Sequence, residues 1–206
     1  MNLSVPLNSR GFEARSSSVE DDLLVERARN GDYHAFELLF ERHRMLVYRY
    51  VYQMVPYRDE AEDMVQEVFV RAHQHLARYR DEAKFTTWLL RIATNLATDR
   101  ARMNQRRTAL EQREAAGALT WMTTPTNEDP VDSLESERRL VLLRKVLQAL
   151  PEHHRSILIL RDIEEREYTE IAGILGCTVG GAKLRVLRAR RALRDRMAPL
   201  LGDDNP

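Results

Sequence analysis

The sequence predicts an all-α protein, built as two small helical domains joined by a flexible linker. Three observations carry that prediction. Apolar residues recur at intervals of three and four along most of the chain, which is the period of a helix half-buried on one face. There are only eight glycines in 206 residues and few β-branched runs, which argues against a sheet protein. Between residues 108 and 132 the periodicity fails: "TTPTNEDPVD" mixes proline, threonine and acids. A structureless stretch of that length inside one compact domain is unusual, so it reads as an interdomain connection.

Residues 1–18 lack the apolar core of a signal peptide and read as a disordered leader. Ser18 with Asp21 resembles a capping box for a short helix from Glu20 to Arg29. Asn30-Gly31 suits its end, and Asp32 suits the cap of the next helix. That second helix carries Phe36, Leu39, Phe40, Val47, Tyr50, Val51 and Met54 at helical spacing until Pro56 stops it. A third, from about Asp59 to His75, is marked by Ala61, Met64, Val65, Val68, Phe69 and Ala72. A fourth starts near Phe85 with Trp88, Leu89, Ile92, Ala93 and Leu96, then turns basic. Four such amphipathic helices with short connections can bury a common core. Trp88 could serve as a wedge in strand melting, but it shares its phase with Leu89, Ile92 and Leu96, which favours core packing.

The second half opens with a helix from about Ser133 to Leu150, closed by Pro151, and another over residues 152–161. "YTEIAGILGCTVGGAKLRVLRAR" then reads as a short helix, a turn at Gly176-Cys177-Thr178 and a longer helix, the outline of a helix-turn-helix. Residues 201–206 form a tail.

Charge is balanced overall, 32 basic against 32 acidic residues, but unevenly placed. Residues 179–197 hold seven basic side chains against one acid, Asp195. On a helical wheel Ala182, Val186, Ala189 and Leu193 share one side. Lys183, Leu184, Leu187, Arg188, Arg191 and Arg194 share the other. Solvated cations are ordinary on a helix; two leucines among them are not. In a DNA major groove such a face is coherent, because arginine and lysine address guanine edges or phosphates and apolar side chains meet thymine methyls. Thr178 can cap this helix, and Gly180-Gly181 would let a phosphate approach its first amides. Asp59, Glu60, Glu62, Asp63 and Glu67 crowd the start of the third helix, whereas the fourth carries Arg91, Arg100, Arg102, Arg106 and Arg107 against Asp99. Two separated basic surfaces suggest two contacts along one nucleic acid, and the acidic face suggests a protein partner.

"DMVQEVFVRAH", "FTTWLLRIATNLATDRAR" and "LPEHHRSILILRDIEEREYTEIAGILGCTVGGAKLRVLRARRAL" closely resemble bacterial RNA polymerase sigma factors of the extracytoplasmic-function group. The resemblance spans about residues 20 to 198 without the linker. It implies that residues 19–107 form the second sigma region and residues 133–200 the fourth, with residues 108–132 between them. It implies that Asp63, Gln66, Glu67 and Arg71 dock on the β′ clamp helices of core RNA polymerase, and that the fourth region meets the β flap. Asn95, with the loop from Tyr79 through Lys84 to Phe85 and the basic residues Arg100 and Arg102, would capture the −10 strand. An asparagine amide both donates and accepts on an exposed base edge. Thr178, Lys183, Leu184, Leu187, Arg188 and Arg191 would serve the −35 element. Gly181 stands where the family often has threonine and Leu184 where it often has serine, so the −35 sequence does not carry over. The resemblance also implies promoter DNA and an anti-sigma factor as partners, a bacterial cytoplasmic location, and neither cofactor nor metal.

Other classes fit less well. No apolar run approaches a membrane span, and a single cysteine, Cys177, points to a reducing compartment. An enzyme finds no support: the six histidines form no ligand pattern, since His73 and His75 point to different sides of one helix. Cys177 reads as a small turn residue. A stand-alone helix-turn-helix regulator would explain residues 133–198 but not the acidic face or the Asn95 helix.

Overall fold

The computed structural model describes residues 20–80, 83–114 and 142–201, and is helical with no strand among them. The first half comprises α1 (residues 20–29), α2 (Tyr33–Met54), α3 (Arg58–His75) and α4 (Phe85–Glu114). The second comprises α5 (residues 142–148), α6 (Glu152–Leu158) with a π turn over Ile159–Ile163, α7 (Tyr168–Leu175) and α8 (Val179–Leu201).

Local chemistry accounts for the boundaries. α1 ends at Gly31, whose φ of 91° is left-handed and suits a residue without a Cβ. Asp32 then caps α2 by accepting from the Ala35 amide at 3.1 Å. Hydrogen bonds from Arg27, then from that amide, hold the Asp32 carboxyl below its ordinary pKa. α2 stops where Val55, preceding Pro56, turns extended. Ser18 lies outside the described residues, and Asp21 is buried and accepts from Arg42 Nη1 at 2.9 Å, so its carboxylate ties α1 to α2. α4 runs on to Glu114, past residue 108, where apolar periodicity had ended. The residues there include good helix formers such as Ala109, Leu110, Glu111 and Gln112. The leader (1–18), the rest of the linker and residues 133–141 of the expected helix lie outside the described residues.

The π turn had no signal in the sequence. The Glu164 amide donates to Ile159 O at 2.8 Å, five residues back. Just beyond it, Arg161 Nη1 donates to Arg166 O at 2.7 Å, ahead of α7. α7 ends on Gly176, left-handed at φ 59°, as the helix-turn-helix reading required.

The two halves share a continuous core, which the linker reading did not anticipate. Buried residues of α2, α3 and α4 (Leu39, Val51, Met64, Val68, Leu89, Leu90) join those of the second half (Ile157, Ile159, Ile171, Val186) in one cluster. The seam also holds polar groups. Tyr50 Oη lies 2.8 Å from both Thr94 Oγ1 and Ser156 Oγ, and Thr94 Oγ1 lies 2.7 Å from Leu90 O. Thr94 has one proton and gives it to Leu90, so Tyr50 donates to Thr94 and Ser156 donates to Tyr50. Burial pushes the Tyr50 phenol up to about 12, against the opposing pull of Ser156 and Thr94.

The carbonyls left open at the C-terminal end of α2 are met by the second half. Arg144 Nη2 donates to Tyr52 O, Val55 O and Pro56 O at 3.1, 3.3 and 3.2 Å. Gln148 Nε2 donates to Gln53 O and Val55 O at 2.9 and 3.0 Å. Arg155, buried, donates to Met54 O at 2.6 Å while its other donors serve Leu147, Gln148 and Leu150. Burial draws the pKa of that guanidinium down, yet arginine remains a cation at neutral pH.

Candidate nucleic-acid and polymerase interfaces

Three surfaces hold the residues expected to act. The first is the outer face of α3. With Met64, Val65 and Val68 turned inward, Asp63 and Gln66 are exposed and Glu67 and Arg71 half-buried. Arg71 Nε donates to Glu67 Oε1 at 2.7 Å, one helical turn apart. Glu60 sits beside them, its pKa raised by burial and by the charge of Asp63, against the opposing pull of Arg100. Next to this acidic patch lies an apolar groove of about 420 Å³ lined by Phe36, Phe40, Gln66, Phe69, Val70 and His73. Val70 is 51% exposed. It breaks the apolar stripe of α3 by one position, and that out-of-phase valine was the available signal for the groove.

The second surface is the loop before α4 and the outer stripe of α4 itself. Tyr79 and Phe85 are both buried. Tyr79 Oη donates to Ala83 O at 2.6 Å, and its ring meets Phe85 edge-on with centroids 5.7 Å apart. These two side chains hold the loop in shape from inside. Facing outward are Arg78 and Arg80 before α4 and, from its first turns, Arg91 and the partly exposed Trp88, which line a pocket of about 250 Å³ with Tyr79 and Thr87. The sequence reading counted Arg91 in the basic charge of the fourth helix but missed Arg78 and Arg80; arginines either side of a buried tyrosine are the trace they leave. Lys84 is exposed, and its ammonium donates to Glu170 Oε1 at 2.9 Å. Arg91, Asn95, Thr98 and Arg102 follow at intervals of four, three and four, making one stripe on α4. Asn95 and Arg102 are exposed, whereas Arg100 is half-buried with Nη1 3.5 Å from Glu60 O, fastening α4 to α3.

The third surface is α8. Ala182, Val186 and Ala189 are buried, and Lys183, Leu184, Leu187, Arg188 and Arg191 are exposed, as the wheel separated them. Leu184 is 46% exposed and Leu187 65%. Thr178 Oγ1 accepts from the Gly181 amide at 3.0 Å and caps the helix. The Lys183 ammonium lies 5.7 Å from the Tyr168 ring centre. Arg190 is engaged by Asp162, whose hydrogen bond and charge raise its pKa.

The second and third surfaces meet. Asn95, Arg102, His153, His154, Arg185 and Arg188 line one cleft of about 480 Å³. Burial, then the neighbouring His153, lowers the pKa of His154, which favours its neutral form in that basic setting. No group of three metal-ligating side chains occurs among the described residues, and no described helix is long and apolar enough to cross a membrane.

Two family models match the chain: Sigma-70 region 2 over residues 39–107 and Sigma-70 region 4 over residues 140–193. The ECF RNA polymerase sigma-E factor of Escherichia coli K12 is 36% identical over 194 residues, covering 90% of this chain and 98% of the relative. The chain belongs to the ECF sigma factor family. The RNA polymerase sigma-H factor of Pseudomonas aeruginosa is 32% identical over 189 residues, covering 88% of this sigma factor and 96% of its relative. Among solved structures, CnrH in complex with the cytosolic domain of CnrY aligns with a TM-score of 0.62 at 22% identity, over 90% of this chain and 99% of that one. The sigma factor RpoE bound to the anti-sigma factor NepR from Bartonella quintana aligns at 0.59 and 23%, over 79% and 96%. Both likenesses are of fold. The sigma factors are initiation factors rather than an enzyme class, and the two helical regions of the fold are their second and fourth regions.

Proposed function

We propose that this sigma factor binds core RNA polymerase and directs it to promoters by reading two elements with two different helices. The outer face of α3, with Asp63, Gln66, Glu67 and Arg71, docks on the β′ clamp helices, and the fourth region docks on the β flap. The α4 stripe around Asn95, with Lys84, Arg102 and the loop that Tyr79 and Phe85 brace, takes the −10 strand. Arg100 positions α4 from behind. The exposed face of α8 takes the −35 element as duplex, with Thr178 and the helix N-terminus near a phosphate. Residues 19–107 and 133–200 act as the functional units, in the bacterial cytoplasm and under an anti-sigma factor. That a protein of the same fold, RpoE of Bartonella quintana, is held by an anti-sigma factor supports the last of these.

The observation that carries this reading is the outer face of α8. Leu184 and Leu187 stand in solvent among Lys183, Arg188 and Arg191, while small residues pin the opposite face. Water exacts a penalty for that face and a major groove does not. The test is retention of a promoter fork, with single-stranded −10 and duplex −35, with core polymerase added or withheld. Retention is expected only when both proteins are present. If the chain alone shifts duplex DNA as strongly as the pair does, it works as a stand-alone regulator and this reading is wrong.

A further inference from the structure

α1 belongs to neither DNA-reading helix, yet both ends of the strand-reading loop rest on it. At the Tyr79 end, Arg29 Nε donates to Leu76 O at 3.2 Å, in the turn just before the loop. The same guanidinium lies over the Tyr79 ring, 5.4 Å from its centre, close enough for a cation to be drawn to the ring face. Arg29 is otherwise exposed. At the other end, the buried ring of His43 on α2 packs on Phe85, the first residue of α4, with centroids 5.5 Å apart. Behind His43 stands α1 again. Asp21 Oδ2 is 2.9 Å from His43 Nε2, off the line of a hydrogen bond, so packing holds the two in contact. Arg42 fastens that carboxylate at 2.9 Å and the neighbouring Glu20 at 2.7 Å. Asp21 and Arg29 stand eight residues apart, about 12 Å along a helix. One short helix thus spans both anchors of the loop.

We propose that α1 is a positioning element for strand capture: it pins the Tyr79 end of the loop through Arg29, and the Phe85 end through Asp21 and His43. The proposal rests on the reading of α4 and this loop as the −10 site. Tyr79 and Phe85 meet edge-on, and Trp88 lies 5.1 Å from the first ring and 5.7 Å from the second. A shift of either ring therefore moves the wall of the pocket that they share with Arg78, Arg80 and Arg91. Base edges are read by hydrogen bonds that weaken steeply with misalignment, so loop shape bears on discrimination as well as on affinity. A helix as short as α1 is marginal alone in water, so it keeps its place through contacts. These are the buried Val25 and Asp21 and the half-buried Leu24 and Ala28. Undocking α1 would release both ends of the loop at once.

The experiment uses the full chain with Arg29→Ala, because an exposed side chain can be removed without opening the core. Arg29→Lys keeps the charge over Tyr79 but not the planar fork that also reaches Leu76 O. His43→Gln alters the second anchor. The probe is a promoter fork with a duplex −35 element and a randomised single-stranded −10 strand, retained by core polymerase. Arg29→Ala should lower retention about fivefold and flatten base preference along the −10 strand, since fewer molecules hold the competent loop. Arg29→Lys should fall between it and wild type, and His43→Gln should lower retention about threefold. Affinity for core polymerase and preference at −35 should match wild type in all three. Trp88 gives a second readout in the free chain once Trp121→Phe removes the other tryptophan. Acrylamide should quench it more strongly in Arg29→Ala than in the chain with Arg29 intact. A −10 profile equal to wild type in the variants overturns the proposal and leaves the −10 reading standing. A flattened profile with unchanged quenching means that Arg29 touches the strand itself, which also overturns it. So does an equal loss of core affinity or of −35 preference, which would make α1 a general prop of the fold. If wild type itself shows no preference along the −10 strand, the −10 reading falls and the proposal with it.

Discussion

α8 and α4 are both long, both basic, and both proposed to touch DNA, yet they are built in opposite ways. α8 packs through a strip of Ala182, Val186 and Ala189, continued by the half-buried Ala192 and Leu193, against α6 and α7 and leaves Lys183, Leu184, Leu187, Arg188 and Arg191 to solvent. α4 is enclosed by α2, α3 and α7, burying Phe85, Leu89, Leu90, Ala93, Leu96 and Ala97, and presents the stripe through Arg91, Asn95 and Arg102. A helix that meets its ligand by lying in a groove needs one anchored face and one broad free face. A helix that holds an unstacked strand needs a rigid backing, because a base edge is read by geometry rather than area. The contrast teaches that the amount of burial, as much as the charge, separates a duplex reader from a strand reader.

The seam that covers α4 should respond most to Arg155→Ala. The loss strands several carbonyls at the end of α2 and in α5, and unfolding in urea should show a destabilisation of about 3 kcal/mol. A loss below about 0.5 kcal/mol, the level of an ordinary surface substitution, would mean that the halves part without that residue and that α4 is not enclosed as described.

Tyr50 gives the seam a pH dependence. Its phenol is raised to about 12 in the folded chain, above the ordinary value near 10, so the folded state holds the proton longer than the unfolded one. The stability tied to that proton is present in full below about pH 10 and is lost as pH climbs toward about 12, by about 2–3 kcal/mol. Tyr50→Phe should be less stable at neutral pH by about 1 kcal/mol and lack this alkaline loss. Parallel denaturation curves for the two proteins across that range would show that Tyr50 is not sealed.

Much of this architecture is legible in the sequence. The two faces of α8 follow from spacing alone, because a helix with one neighbouring layer obeys its wheel. The boundaries at Gly31, Asp32, Pro56 and Gly176 follow from residue chemistry. Asn95 is different: only the family resemblance singles it out, since an exposed asparagine on a helix carries no mark of its own. Tyr79 and Phe85 belong to the same expected element, and their rings turn out to brace it from within. The seam is not legible at all. Tyr50 with Ser156, Arg155 with Met54 and Lys84 with Glu170 join residues far apart in sequence, and each looks like an ordinary polar or surface residue until the partner is known. The π turn escapes too, because the backbone bond from Glu164 to Ile159 that defines it leaves no mark in residue type.

On the α8 side, Ala189→Leu tests the anchored strip. The added side chain has no space at a fully buried position and should destabilise by about 2 kcal/mol in the same urea assay. An unchanged midpoint would mean that α8 is loosely held. The smallest effect is expected at Arg191, exposed at the rim of the free face. With core polymerase present, Arg191→Ala should weaken binding to every promoter alike and lower the log–log salt slope by about one unit. Loss confined to particular −35 sequences would turn it from a phosphate contact into a base reader.

The division of labour between α4 and α8 is tested most directly by one promoter library, randomised across both elements and transcribed by core polymerase with wild type, Asn95→Ala or Leu184→Ser. Asn95→Ala should flatten preference at a single −10 position by about 1–3 kcal/mol and leave the −35 profile as it was. Leu184→Ser should lower the preference for thymine at a single −35 position and leave the −10 profile as it was. If both variants disturb the same element, or if folded proteins of both kinds return the wild-type profile, the two helices do not read separate elements and the account is contradicted.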